Sequence, residues 1–191
     1  MAELARQALE QMPEEPVALA GHSMGGYVAL EIMRQAPARV AKLAFLNTHA
    51  RPDSPESTEN RKRLMALAEK DFSAVIAALT PKLVNAKHLK DSEIAGTISE
   101  MAFALGKEAF ARQERAIIGR IDSRPHLAKI ACKTLVIAAR DDALMPLDVL
   151  QELAGGIPKA KLAIVEDSGH MASLEQPEEV TRLLLEWLKD R

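Results

Sequence analysis

Apolar residues along this chain switch between helical spacing and short continuous runs. Residues 2 to 12 bring Leu4, Ala5, Ala8, Leu9 and Met12 to one helical face, with Glu3, Arg6 and Glu10 elsewhere. Pro13 and Pro16 end that helix, because a ring nitrogen cannot donate and clashes with the preceding turn. Val17 to Ala20 is then a short apolar run that predicts a strand covered on both faces. Helical spacing returns over residues 24 to 35 and stops at Pro37, and Val40 to Leu46 is a second apolar run.

The rhythm changes after Asn47. Ala50-Arg51-Pro52-Asp53-Ser54-Pro55 has the composition of a connector, and residues 55 to 120 hold no strand candidate. Phe72, Val75, Ile76 and Leu79 keep helical spacing there. So do Ile94, Ile98, Met101, Ala102 and Leu105, and then Phe110, Ala111, Ala116 and Ile117. Strand-like runs resume at Thr134 to Ala139 and at Lys161 to Val165, with a helix between them from about Pro146 to Ala154-Gly155-Gly156-Ile157-Pro158. A last helix opens at Pro177, with Glu178 and Glu179 in its first turn. It carries Val180, Leu183, Leu184, Trp187 and Leu188 on one face. This alternation predicts an α/β protein with a parallel sheet of three or four strands and right-handed crossovers. The expected division is a core of residues 1–51 and 129–191, interrupted by an all-helical insertion at 52–128.

Candidate chemistry sits at the ends of the strand runs. Gly21-His22-Ser23-Met24-Gly25-Gly26 lies where the first strand gives way to a helix. A G-x-S-x-G sequence at such a junction makes a nucleophile elbow, a sharp turn that lifts the serine hydroxyl clear of the sheet. Gly21 and Gly25 are expected where a Cβ would collide as strand and helix close on each other. Asp141-Asp142 follow the third strand, and His170 follows the fourth within Asp167-Ser168-Gly169-His170. Serine catalysis needs a nucleophile, a base and a carboxylate that orients the base, and here one candidate stands at each carboxyl strand end.

Composition narrows the setting. At 191 residues, with 48% hydrophobic and 27% charged residues, the chain is long enough for one globular core. A net charge of −2 and no interleaving of aromatic and basic residues give no footing for nucleic acid. Cys132, the one cysteine, has no companion for a disulfide or a metal site and precedes an apolar run, so it reads as core. The acidic start, Met1-Ala2-Glu3, lacks a signal-peptide pattern, and no run reaches the about 18–20 apolar residues of a membrane span. The expectation is a cytoplasmic protein that uses no metal and no cofactor.

Taken together, Gly21 to Gly26, Thr134-Leu135-Val136-Ile137 with Asp142 and Pro146, and Gly169-His170-Met171 with Leu174-Glu175-Gln176-Pro177 resemble the α/β-hydrolases, in their esterase-like group with a helical cap. The resemblance implies an α/β-hydrolase sheet lacking its N-terminal strands, with residues 52–128 as the cap. In the family the acid falls in a G-x-x-D-x-x-x-P frame, which Ala139 to Pro146 fits with Asp142 as the acid and Ala139 in place of the glycine. Asp141 is the alternative acid, or else a solvent-facing or helix-capping residue. The implied activity is that of a serine hydrolase cleaving an ester-like bond of a small molecule. Ser23 would carry the acyl group, His170 act as base and acid, and Met24 N–H bind the oxyanion. A non-catalytic binding protein and a C–C hydrolase or lyase on the same site are the alternatives.

Further residues enter as substrate-binding candidates. His22 lies inside the elbow and is structural or pocket-lining. Asn47, Thr48 and His49 follow the second strand and are expected to line the pocket, although His49, like His88 and His126, has no evident partner and also reads as a surface residue. The stretch 107–129 holds Lys107, Arg112, Arg115, Arg120, Arg124 and Lys129 against Glu108, Glu114 and Asp122. This excess reads as a solvated helix face, or else Arg112 or Arg124 points into the cleft to meet an anionic substrate group. Family members carry strands before the nucleophile strand, and their second oxyanion donor comes from that region. The reading frame is therefore expected to extend upstream of Met1. In the chain as it stands the nucleophile strand would be a sheet edge, open to pairing with a second copy.

Overall fold

The computed structural model describes residues 1–189. Four strands form one parallel sheet in sequence order: β1 (Val17–His22), β2 (Val40–Leu46), β3 (Lys133–Ala139) and β4 (Ala160–Val165). The helices are α1 (Ala2–Gln11), α2 (Met24–Gln35), α3 (Pro55–Lys70), α4 (Phe72–Leu83), α5 (Ser92–Ile118), α6 (Leu147–Gly156), α7 (Ala172–Glu175) and α8 (Pro177–Lys189). Among the described residues no strand lies between Leu46 and Lys133, as the patterning of that stretch predicts.

The period of two along each strand divides the apolar runs between two cores. Leu43 and Phe45 of β2 and Val136 and Ala138 of β3 face α1, α2 and α6. Ala44, Leu46, Leu135 and Ile137 face the opposite way, toward Val180 and Trp187 of α8. The strands follow one another in order and the crossover hand is fixed, so α2 and α6 land on the same face. The central strands are covered on both sides; Phe45, Ile137 and Val136 are fully buried.

Two expectations need correction. β1 is not covered on both faces: Leu19 packs into the first core, while Ala18 and Ala20 are exposed. The reason is position, since β1 pairs only with β2 and stands at the edge of the sheet. Leu188 leaves the apolar face of α8 and is 47% exposed. The two helical patterns at 94–105 and 110–117 stay distinct within α5, which breaks at Gly106, where the backbone is non-helical with a φ of 78° that glycine tolerates. The short helix α7 has no counterpart in the sequence reading.

Candidate active site

The elbow forms where the sequence places it. Ser23 separates β1 from α2 with φ 51° and ψ −117°, a conformation costly for a non-glycine residue. Its backbone is held from three sides. Ser23 N–H donates to Leu46 O (2.9 Å), while Ser23 O accepts from Gly26 N–H (2.9 Å) and from Thr48 Oγ1–H (2.8 Å). A Cβ on Gly21 would lie 2.5 Å from Gly25 O, so that glycine is required. Gly25 is a correction, because a Cβ there meets nothing within 4 Å. The close approach belongs to Gly26, where a Cβ would fall 2.4 Å from Thr48 Cγ2.

Ser23, His170 and Asp142 come together from the carboxyl ends of β1, β4 and β3. Ser23 Oγ lies 2.8 Å from His170 Nε2, and His170 Nδ1 lies 2.8 Å from Asp142 Oδ2. His170 and Asp142 are buried, 3% and 5% exposed. Asp142 Oδ2 also accepts from Asn47 Nδ2 (2.9 Å), and Oδ1 accepts from Leu144 N–H (2.8 Å) and Met145 N–H (2.9 Å). Burial pushes its carboxyl upward, but bonds from His170, Asn47 and Met145 and the charge of His170 outweigh it and hold the carboxyl below its ordinary value. The carboxylate thus fixes His170 with Nδ1 as donor and Nε2 as acceptor toward Ser23. Asp141 is exposed and accepts from Asn85 Nδ2 (2.7 Å).

The other candidates divide. Met24 opens α2, so its N–H is a first-turn amide without an intrahelical acceptor, beside the Ser23 hydroxyl. His22 Nε2 donates to His170 O (2.8 Å), and burial followed by the neighbouring His170 lowers its basicity. It braces the histidine loop. Asn47 and Thr48 do not line an open pocket: both are fully buried, one against Asp142 and the other against Ser23 and Gly26.

His49 is neither a free surface residue nor an open lining. Its Nδ1 accepts from Arg51 N–H (3.0 Å), so Nε2–H donates to Tyr27 Oη (3.2 Å). Burial, then the charges of Arg120, Arg51 and Arg61, push its pKa down to about 4. His88 likewise has a partner, Glu175.

The candidate arginines lie on a solvated face. Arg112 is exposed, and Arg124 is exposed and tied to Asp122 (2.7 Å). The buried cation is Arg120, whose side chain is 6% exposed. It donates to Asp53 Oδ1 (2.8 Å) and Arg51 O (3.0 Å) and sits over the Tyr27 ring at 4.5 Å. Asp53 also receives Arg61, which reaches Glu114 (2.8 Å). This network ties α2 and the connector to both ends of the helical stretch. Nothing in composition distinguishes Arg120 from its neighbours; a lone aspartate inside a proline-rich connector was the available signal.

Among the described residues no three His, Cys, Asp or Glu side chains converge as a metal site, and no helix is long and apolar enough to cross a membrane. Cys132 is half-buried against the first core, and burial raises its thiol pKa. A cavity of about 640 Å³ lies away from Ser23, among Lys133, Leu135, Leu162 and Trp187.

A parallel sheet with a serine elbow at the carboxyl end of one strand, and the aspartate and histidine loops beside it, is the architecture of the α/β-hydrolase fold. The chain belongs to the alpha/beta hydrolase family, whose sequence profile matches residues 1–183. It is 30% identical to a protein named as a carbamate hydrolase, RutD, of Serratia proteamaculans, over 98% of this chain and 71% of that protein. It is also 30% identical to the 2-hydroxy-6-oxo-6-phenylhexa-2,4-dienoate hydrolase of Comamonas testosteroni, over 91% of this chain and 63% of the relative. Among solved structures, a thermophilic esterase from Thermogutta terrifontis is 33% identical with a TM-score of 0.87, covering 92% of this chain and 65% of the esterase. The chain thus spans less than two thirds of the dienoate hydrolase and of the esterase.

Proposed function

We propose that this protein is a serine hydrolase that cleaves an ester-like bond of a small molecule through an acyl-enzyme on Ser23. The observation that carries the reading is the continuous pair of 2.8 Å contacts from Ser23 Oγ through His170 to Asp142. In the proposed reaction Ser23 Oγ attacks the substrate carbonyl as His170 Nε2 takes its proton. The tetrahedral oxyanion forms against Met24 N–H. His170 then protonates the leaving alcohol, and the same histidine activates water to release the acid. Asp142, saturated by four donors, stays ionised and stabilises the imidazolium. Residues 52–128 act as a cap that closes the site and selects the substrate.

Fluorophosphonate labelling followed by peptide mass spectrometry tests the chemistry. The expected product is a single adduct on the peptide containing Ser23, absent in Ser23→Ala. A wild-type protein that takes up no label would support a binding protein on the same fold and overturn the hydrolase. The dienoate hydrolase relative favours a second reading, C–C bond hydrolysis at the same site. Parallel assays with p-nitrophenyl acetate and a vinylogous diketone separate the two.

A further inference from the structure

Glu175 is a buried carboxylate that the proposed chemistry leaves unused. Its side chain is fully buried, a costly place for a charge unless donors saturate it. Three donors do so. Oε1 accepts from Gly169 N–H (2.8 Å), and Oε2 accepts from Asn85 N–H (2.6 Å) and from His88 Nδ1 (2.9 Å). Gly169 is the residue before His170, and Asn85 and His88 belong to the segment between α4 and α5. One carboxylate therefore holds both the histidine loop and the helical stretch.

The surrounding contacts run the same way. Met171 N–H, on the other side of His170, donates to Leu83 O (2.9 Å). A Cβ on Gly169 would come within 2.6 Å of the Val84 carbonyl carbon and 2.7 Å of Asn85 N, so the two backbones touch. Asn85 Nδ2 reaches Asp141 beside the acid (2.7 Å), and Lys87 pairs with Asp167 at the start of the histidine loop. The segment from Leu83 to His88 is thus strapped across the loops of Asp142 and His170, with Glu175 at the crossing.

We infer that Glu175 is a positioning residue for His170, and that through its carboxylate the helical stretch sets where that imidazole stands relative to Ser23. The catalytic part of this inference rests on the serine-hydrolase reading; the placement of His170 does not. An amide in place of the carboxylate cannot serve both sides, because only one of its two terminal atoms accepts. In Glu175→Gln either Gly169 N–H or the Asn85–His88 pair loses its acceptor and faces an NH2 group.

The test compares wild type, Glu175→Gln and a control, Val180→Ala, which truncates a buried side chain of α8 outside the site. Two quantities are read at a temperature where all three are folded. One is the second-order rate of fluorophosphonate labelling, and the other is the downfield NMR signal of the His170 Nδ1 proton bonded to Asp142. The expected result is labelling at least about tenfold slower in Glu175→Gln, with the proton signal broadened or lost, and both unchanged in Val180→Ala. Labelling within twofold of wild type with the signal retained overturns the inference, as does an equal loss in the control. If wild type itself takes no label, the serine chemistry fails, and the NMR signal alone decides whether Glu175 positions the histidine. Should Glu175→Gln not fold, Glu175→Asp, which keeps the charge but draws it back by one methylene, is measured with the same thresholds.

Discussion

Asn47 Nδ2 donates to Asp142 Oδ2 at 2.9 Å, and His170 Nδ1 donates to the same oxygen at 2.8 Å. Asn47 holds this position from a left-handed backbone, φ 47°, at the end of β2. Its amide also reaches Gly169 O at 3.3 Å. One residue with no chemistry of its own thereby sets the carboxylate and the histidine loop relative to each other.

Replacing the acid isolates its electrostatic part. Asp142→Asn keeps the volume but offers an amide where His170 needs an acceptor, which favours the wrong imidazole tautomer. We expect kcat on a p-nitrophenyl ester to fall by about 10⁴-fold, with an unchanged circular dichroism spectrum. A loss below tenfold would exclude Asp142 from the orienting role.

The three elbow glycines differ in what they tolerate. Gly26→Ala drives a Cβ into Thr48 and is expected to cost at least about 1–3 kcal/mol in urea unfolding. Gly25→Ala points into open space within α2 and is expected to be neutral or to stabilise by up to about 1 kcal/mol. Equal effects from the two substitutions would refute the assignment of the close contact to Gly26.

The buried arginine matters for stability where the exposed ones do not. Arg120→Met leaves Asp53, whose side chain is 1% exposed, without its closest cation, and is expected to destabilise by about 3–5 kcal/mol. Arg112→Ala is expected to change stability by less than about 0.5 kcal/mol. It should alter KM for any anionic ester by less than twofold, as should Arg124→Ala. Thermal unfolding and steady-state kinetics on the three variants check this.

His49 supplies a pH signature. Its folded pKa of about 4 lies below the ordinary 6.5, so below pH 6.5 the unfolded chain takes up a proton that the folded one refuses. Its contribution to stability is complete above pH 6.5 and is lost as pH falls toward 4, with a slope of up to about 1.4 kcal/mol per pH unit. Urea unfolding across that window should show a shallower dependence in His49→Gln. The same slope in both proteins would mean that His49 titrates normally.

Local pattern was enough for the elements and for the candidates Ser23, Asp142 and His170. The apolar runs and helical spacings placed all four strands and α2 almost to the residue, because burial on a sheet or helix face imposes its period on the sequence. Ser23, Asp142 and His170 were legible because each sits at a strand end marked by glycine or proline punctuation that the turn itself requires. The supporting shell was not. Asn47, Arg120 and Glu175 act through partners distant in sequence, and no periodicity records which aspartate an arginine will meet or which amide a glutamate will hold. Likewise Gly25 and Gly26 are alike as letters, and only the packing of Thr48 against one of them makes that one indispensable. Sequence alone determined the order of elements and marked the three candidate residues at the strand ends, since those follow from short-range sterics and patterning. Tertiary structure decided which buried polar groups pair, because each pairing depends on loops brought together from separate strands.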